Sequence, residues 1–207
     1  MSNAPDVVDD LVYLAATPIQ KSKTQTDRDA RRLKNAVDRS VKEMDRSFGK
    51  YSKMKFVLDK SWTVGQVLGN AAARRQHSAL GLDKPKATIA DSSILKSLQK
   101  DLEIIYSEGD SAQTRLRAKM CVEAAVKFAF NSAYTLAMEN TGTMKMWATT
   151  SAVPCSYCKR LSGTVLEWDE EFPKTFEGLK PIKVYKNELY HPPLHPNCKC
   201  VLFPVTR

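Results

Sequence analysis

"AQTRLRAKMCVEAAVKFAFNSAYTLAMEN", residues 112–140, is a long stretch and the most apolar helix-like one of the chain. Its many alanine, valine and phenylalanine residues are typical of a helix that is largely buried. Asn140 and Gly142 close the stretch, and residues of these two types commonly end helices. We therefore predict a long core helix, followed by a different kind of structure after Gly142.

A basic helix is predicted earlier in the chain, over about residues 27–58. Thr26 is a suitable N-cap, and Asp27 and Asp29 favour the first turn because its backbone N–H groups carry partial positive charge. Apolar residues recur at steps of three and four and would form one stripe: Ala30, Leu33, Val37, Val41, Met44, Phe48 and Tyr51. We expect this stripe to pack on the helix at 112–139, with the Lys and Arg residues on the remaining surface.

Two shorter helices are predicted between these. The second helix would run from Val64 to about Leu80, with Thr63 as its N-cap and Gly81 as its end. The third would run from Ser92 to about residue 106, with its leucine and isoleucine residues facing inward. The chain before residue 26 is expected to be weakly ordered, because Pro5 and Pro18 interrupt it.

The composition changes after Gly142. Residues 143–207 contain seven of the ten prolines and four of the five cysteines, and their β-prone segments are short. The predicted fold class is α+β: a weakly ordered segment over 1–25, a helical domain over 26–142 and a small, loop-rich Cys/His module with short strands over 143–207. Within this module we expect Trp147 and Leu161 to be core residues.

The formal net charge of the chain is +9, and residues 21–60 hold 13 Lys and Arg against 6 Asp and Glu. A basic stripe of this kind can lie along nucleic acid or an acidic protein. A solvated helix face with a surplus of Lys and Arg is the other interpretation, and the composition does not separate the two.

Features of membrane or exported proteins are not evident in the sequence. No apolar run approaches the roughly 20 residues that a membrane helix needs. The opening residues, "MSNAPDVVDDLVYLAATP", carry acids where a signal peptide would carry positive charge. We therefore expect a cytosolic protein, or one not exported by that route, with no membrane partner.

Two cysteine motifs in the module predict a metal site. The first is Cys155-x-x-Cys158, and the second combines His195, Cys198 and Cys200. A C-x-x-C turn presents two thiolates to one ion, and a distant second pair can complete a tetrahedron. A module this small gains stability from such a cross-link, and Zn²⁺ suits sulfur and imidazole ligands.

The ligand set is left open by the sequence. Cys198 and Cys200 would point to opposite faces of an extended strand, so both can bind one ion only if the chain turns there. His195 is therefore an alternative ligand, whereas His191 is interpreted as a surface histidine in a proline loop. Cysteines that bind no metal, either reduced or joined as disulfides, are the competing hypothesis.

Catalytic interpretations of the same residues are weaker. Zinc nucleobase deaminases combine P-C-x-x-C with an earlier H-x-E, but the only earlier histidine, His77, is followed by Ser78 and Ala79. A Cys–His nucleophile is less apt than metal ligation for thiols in such a cluster. A metal nuclease would need an acidic ligand, and none stands out. We expect no enzymatic activity.

The C-terminal run "KMWATTSAVPCSYCKRLSGTV…PPLHPNCKC" resembles the phage head-morphogenesis proteins of the Mu F-like class, which are minor capsid proteins. The residues that carry the resemblance are Lys145, Trp147, Cys155, Cys158, Leu161, Gly163, His195, Pro196, Cys198, Lys199 and Cys200. The preceding helix is similar to the family's helix with an Ala-Arg-Thr-Glu run, with Glu123 in the Glu place, although Cys121 and Val122 depart from it. The resemblance covers about residues 112–207.

This resemblance implies a structural protein of a tailed phage. Such proteins are packaged in few copies, associate with the portal and other capsid proteins during head assembly in the host cytoplasm, and remain in the virion. In some phages they enter the host with the DNA, and packaged DNA could meet the basic helix of this chain. The alternative function is a zinc-dependent protein that binds or processes nucleic acid.

Overall fold

The structure is a computed structural model that describes residues 7–179, 189–195 and 198–206, with the backbone alone for residues 7–24 and Thr206. Its helices are α1 (Val7–Ser47), α2 (Tyr51–Leu80), α3 (Ser93–Ser107), α4 (Ala112–Met138) and α5 (Ser156–Leu161). Its strands are β1 (Thr143–Thr149), β2 (Val165–Leu166) and β3 (Cys200–Thr206), in an antiparallel sheet of order β2-β1-β3. The predicted α+β fold class is confirmed. Among the described residues, no helix is both long and apolar enough to span a membrane.

The first helix begins earlier than predicted. α1 starts at Val7 and continues through Pro18, whereas the sequence predicted a weakly ordered segment there and a helix start at Thr26. Thr26 is buried inside the helix and accepts a hydrogen bond from Gln76 Nε2 at 2.6 Å. Proline removes one helical hydrogen bond, but the flanking residues are rich in the good helix formers alanine, leucine and lysine. Residues 1–6 lie outside the described part of the chain.

The break between the first two helices also differs from the prediction. α1 ends at Ser47, and α2 is continuous from Tyr51 to Leu80, so the predicted boundary before Val64 is wrong. Gly49 adopts a φ of +94°, a conformation that glycine reaches without steric cost and that stops a helix. Thr63 lies inside α2, where its hydroxyl donates to the Asp59 carbonyl at 3.2 Å instead of capping a helix. The predicted end at Gly81 is confirmed.

Helices α2 and α4 cross at very short range because two glycines lie between them. A Cβ atom at Gly65 would lie 2.3 Å from the carbonyl oxygen of Val126, and one at Gly69 would lie 2.2 Å from that of Phe130. No other residue type fits between the two backbones at these points. The crossing places α4 against α2 along its length, and α1 packs on both of them.

The core extends from the helices into the C-terminal module. One cluster of buried residues combines Leu33 of α1 and Val126 of α4 with Trp147 and Leu161 of the module. Trp147 and Leu161 have no exposed surface, so their predicted place in the core is confirmed. Trp147 lies on β1 opposite Leu202 of β3, with its ring edge-on to Phe172. The module therefore packs its apolar side chains against the helices.

A lysine is buried on the same face of β1 as Trp147. Lys145 has no exposed surface, and its Nζ donates to the carbonyl oxygens of Trp168 at 2.8 Å and Glu170 at 2.5 Å. Burial lowers the pKa of Lys145 to about 8, against the attraction of nearby carboxylates. These bonds fasten the loop after β2 to the central strand.

Candidate metal centre

The first two cysteines are brought together by a short helix. Cys155 is the N-cap of α5, and its sulfur accepts a hydrogen bond from the backbone N–H of Cys158 at 3.3 Å. An N-cap side chain folds back over the first turn of its helix, so the C-x-x-C spacing directs both sulfurs to one side. Cys155 is exposed and Cys158 is buried, which places this pair at the edge of the core.

The second motif lies directly before β3 and ends at its first residue. The backbone N–H of Cys198 donates to the carbonyl oxygen of His195 at 3.1 Å. Cys200 is the first residue of β3 and pairs with Thr149 of β1. Because Cys198 precedes the strand, the alternation of an extended strand does not separate its sulfur from that of Cys200. The sulfurs of Cys198 and Cys200 do converge, but the hydrogen bond precedes Cys198, and the chain does not turn between the two cysteines as the sequence argument expected.

The five predicted ligands meet in two overlapping groups. Cys155, Cys158 and His195 form one group, and Cys158, Cys198 and Cys200 form the other; within each group the ligand atoms lie within 4.8 Å of one another. His195 Nε2 is 3.1 Å from Cys155 Sγ and 3.3 Å from Cys158 Sγ. Cys158 Sγ is 3.8 Å from Cys198 Sγ. Cys158 is thus common to both groups.

The spacing of these atoms fits a tetrahedral ion with sulfur and nitrogen ligands. Two sulfurs that each lie about 2.3 Å from one Zn²⁺ are about 3.8 Å apart, and a sulfur and an imidazole nitrogen are about 3.5 Å apart. The Cys158–Cys198 distance of 3.8 Å equals the first value, and the distances to His195, 3.1 and 3.3 Å, fall slightly below the second. The cluster could therefore hold a metal ion, with Cys158 shared between two groups of three donors.

The buried thiols of Cys158, Cys198 and Cys200 are linked by hydrogen bonds. Hydrogen bonds from Cys158 and then Cys200 lower the pKa of the Cys198 thiol to about 2. The hydrogen bond with Cys198, with further contributions from Cys200 and burial, raises the pKa of Cys158. Hydrogen bonds among the three sulfurs therefore favour one thiolate within the group, and the three thiols titrate together as one set. A metal ion replaces such protons, because thiolates are the form that binds metal.

The other cysteine and histidines lie elsewhere. Cys121 is buried among the helices, where burial raises the pKa of its thiol to about 12, so it is an unreactive core residue. His191 is half-buried, not a surface residue as predicted: its ring stands edge-on to Phe128, with 5.9 Å between centroids. His77 is buried, and its ring nitrogens lie 2.6 and 3.0 Å from the carbonyl oxygens of Asp83 and Ala137.

Sequence reasoning missed one residue beside the site. Lys127 of α4 donates from Nζ to the carbonyl oxygen of Cys198 at 2.6 Å, and it also pairs with the carboxylate of Glu123. A Glu four residues before a Lys is a common pair on helix surfaces, so the spacing alone gave no reason to connect it with the cysteines. Only the packing of α4 against the turn reveals the contact.

Comparison with known proteins finds no family model, no curated protein and no solved structure that matches this chain.

Proposed function

We propose that the protein is a structural minor capsid protein of a tailed phage, whose C-terminal module is held closed by one Zn²⁺ ion. The observation that carries this proposal is the meeting of both cysteine motifs in one cluster, although Cys158 and Cys198 are 40 residues apart. These motifs are also the most specific part of the resemblance to phage head-morphogenesis proteins.

Zinc suits the donors because thiolate and imidazole ligands favour it and because it has no redox chemistry. The proposed ligands are Cys155, Cys158, His195 and Cys198. The first three already approach one another closely, and Cys198 combines the tetrahedral 3.8 Å distance to Cys158 with a lowered pKa. The hydrogen bond with Cys158 lowers the pKa of Cys200, but the hydrogen bond with Cys198 and burial together outweigh it and raise the pKa to about 12. Cys200 is proposed as a neighbouring thiol.

The site supports a structural and not a catalytic role. A zinc ion with four protein ligands has no open position at which a water or substrate could bind. Cys158, Cys198 and Cys200 also belong to the hydrophobic cluster that contains Trp147 and Leu161. An ion here links the short helix α5 to the start of β3, and it thereby holds the module against the helices.

Metal analysis of protein purified without chelator tests the zinc site. We expect one Zn²⁺ per chain in the parent, and a clear loss of bound zinc in Cys155→Ser, Cys158→Ser and Cys198→Ser. Cys200→Ser is the matched control, because it removes a neighbouring thiol that is not a proposed ligand. A zinc content near zero in fresh, reduced parent protein that is folded would contradict the proposal.

The role in the virion is tested separately from the metal. Mass spectrometry of purified virions, together with co-purification with the portal protein from infected cells, is expected to detect the chain in the phage head. The alternative, a zinc-dependent nucleic-acid protein, predicts that the purified chain binds DNA tightly and loses affinity steeply as salt is added. Tight DNA binding without incorporation into heads would favour that alternative.

A further inference from the structure

We propose that Lys127 is a positioning residue for the metal centre, which holds the backbone of Cys198 in the orientation that ligation requires. This inference rests on the proposed zinc site and extends it to α4, which contributes no ligand itself.

The contact joins two distant parts of the chain. Lys127 Nζ donates to the Cys198 carbonyl oxygen at 2.6 Å, across 71 positions of sequence. The Glu123 carboxylate, one turn earlier on α4, pairs with the same Nζ. The Lys127 and Glu123 side chains are only 15% and 21% exposed. A lysine in this setting has lost most of its freedom, so it fixes the carbonyl that it bonds.

A second contact joins α4 to the chain segment before His195. Phe128, the neighbour of Lys127, meets the ring of His191 edge-on, and His191 lies four residues before His195. His191 and Cys198, which flank His195 in sequence, therefore both contact α4. Helix α4 is in turn locked against α2 at Gly65 and Gly69, so the support is rigid.

Fixing both backbone groups of Cys198 sets the direction in which its side chain leaves the backbone. The Cys198 carbonyl and Sγ share one Cα atom, and the backbone N–H of Cys198 is already bonded to His195. With both of these backbone groups held, the direction of the Cα–Cβ bond is set. Removal of a residue that orients a metal ligand in this way commonly weakens metal affinity by about 10–100-fold.

The positive charge of Lys127 should also strengthen zinc binding. Three thiolates, one neutral imidazole and one Zn²⁺ carry a net charge of minus one. The Lys127 ammonium, bonded to the backbone of a proposed ligand, lies close to that charge in a setting where water screens it little. Glu123 keeps the ammonium in place, so its loss should weaken the site less than the loss of Lys127.

Zinc affinity, measured by competition with a chromophoric chelator, tests the inference in the full-length chain. We expect Lys127→Met to bind one Zn²⁺ with an affinity about 10–100-fold weaker than the parent, and Lys127→Arg, which keeps a donor and the charge, to recover part of the loss. Lys119→Met on the same helix is the control, because Lys119 pairs with Asp45 at 2.8 Å and not with the cysteine turn.

Cobalt spectra give a readout that general destabilisation would not change. The thiolate-to-cobalt absorption bands of Co²⁺-loaded Lys127→Met should shift in position, whereas those of Lys119→Met should match the parent. If Lys127→Met does not fold by circular dichroism, Glu123→Gln is measured in its place, with a smaller expected loss of affinity.

The possible outcomes separate the two proposals. Equal zinc affinity and equal cobalt spectra in the parent and the variant overturn the role of Lys127 alone. A folded parent that binds neither metal overturns the zinc site and this inference together.

Discussion

Lys145 has an ammonium group that is enclosed by carbonyl oxygens and aromatic rings in place of water. Its Nζ lies over the rings of Phe172 and Tyr190, at 5.2 and 5.5 Å from their centroids. These contacts and two hydrogen bonds compensate only in part for lost hydration, because burial still lowers the pKa of Lys145 to about 8. The charged form is therefore less favourable in the folded chain than in the unfolded chain.

The stability contribution of Lys145 should consequently depend on pH. Its pKa falls from 10.5 in the unfolded chain to about 8 in the folded one, so between these values the unfolded state binds more protons. The free energy of unfolding then rises with pH across this window, by about 3 kcal/mol. Below it, the full cost of burying the charge remains.

Urea unfolding of the parent and of Lys145→Met between about pH 7 and pH 11 measures this effect. The difference in unfolding free energy between the two proteins isolates Lys145 from the cysteines and tyrosines, which titrate in both. We expect that difference to move in favour of the parent as pH rises. A difference that stays constant over the window would show that the Lys145 ammonium is well hydrated.

Trp147 is the largest fully buried side chain of the module. Trp147→Ala should lower the free energy of unfolding by about 3–5 kcal/mol, because it removes a large apolar side chain and leaves a cavity. Phe56→Ala is the control: Phe56 is 64% exposed, so its loss should stay within about 0.5 kcal/mol. Denaturant titration of both variants decides the matter, and similar small effects in the two would mean that Trp147 does not support the core.

At the scale of elements, the crossing of α2 and α4 depends on the absence of a side chain. Gly69→Ala should destabilise the protein by about 1–3 kcal/mol, because the new Cβ meets the Phe130 carbonyl and the backbones must separate. In an ordinary helix the same change would stabilise by about 0.5–1 kcal/mol. The sign of the measured change in unfolding free energy therefore reports directly on the crossing.

The matched control for this change is Thr63→Ala. Thr63 is exposed on the same helix, so its replacement should leave stability nearly unchanged or raise it slightly. If Gly69→Ala proves as stable as Thr63→Ala, the two helices are not in backbone contact at that point.

At the scale of the whole molecule, the basic face of α1 is the surface proposed to meet DNA or an acidic protein. Arg28, Arg31 and Arg39 are exposed on it, whereas Arg32 is bound to Asp29 at 3.1 Å, a carboxylate with only 5% of its side chain exposed. Arg32 is itself half exposed, but its guanidinium is paired with this buried carboxylate. A test of surface charge must leave it unchanged.

Replacement of Arg28, Arg31 and Arg39 by Glu should leave the fold intact, because these positions avoid the buried stripe of α1. We expect weaker incorporation into heads or weaker DNA binding, with a DNA effect that fades as salt is added. Lys86, Lys96 and Lys100, which are exposed outside α1, serve as the control when they are replaced by Glu, since the change in net charge is equal. If both triple variants behave like the parent, the basic surface of α1 is only a solvated face.

Much of the candidate site could be predicted from the sequence, because its information is local. The C-x-x-C turn at Cys155 and the short turn at His195 position their own donors, and residue type and spacing are enough to indicate a metal. Helix α4 and the presence of short strands after Gly142 were predicted for the same reason, since hydrophobic periodicity and turn residues act over a few positions. The helix break at Gly49 also depends on a single residue. The apolar stripe continues past it to Tyr51, so the periodicity did not indicate a break there.

Only the tertiary structure decided how these parts meet. The contact of Lys127 with Cys198, the burial of Lys145 and the shared core of Leu33 and Trp147 join residues that are far apart in the chain. Such contacts follow from the angle at which helices cross and from the register of a sheet, and neither is written in the periodicity of a single segment. The sequence by itself determined which donors were present and in what turns; the fold determined that they converge, and which helix supports them, because convergence depends on the packing of the whole chain.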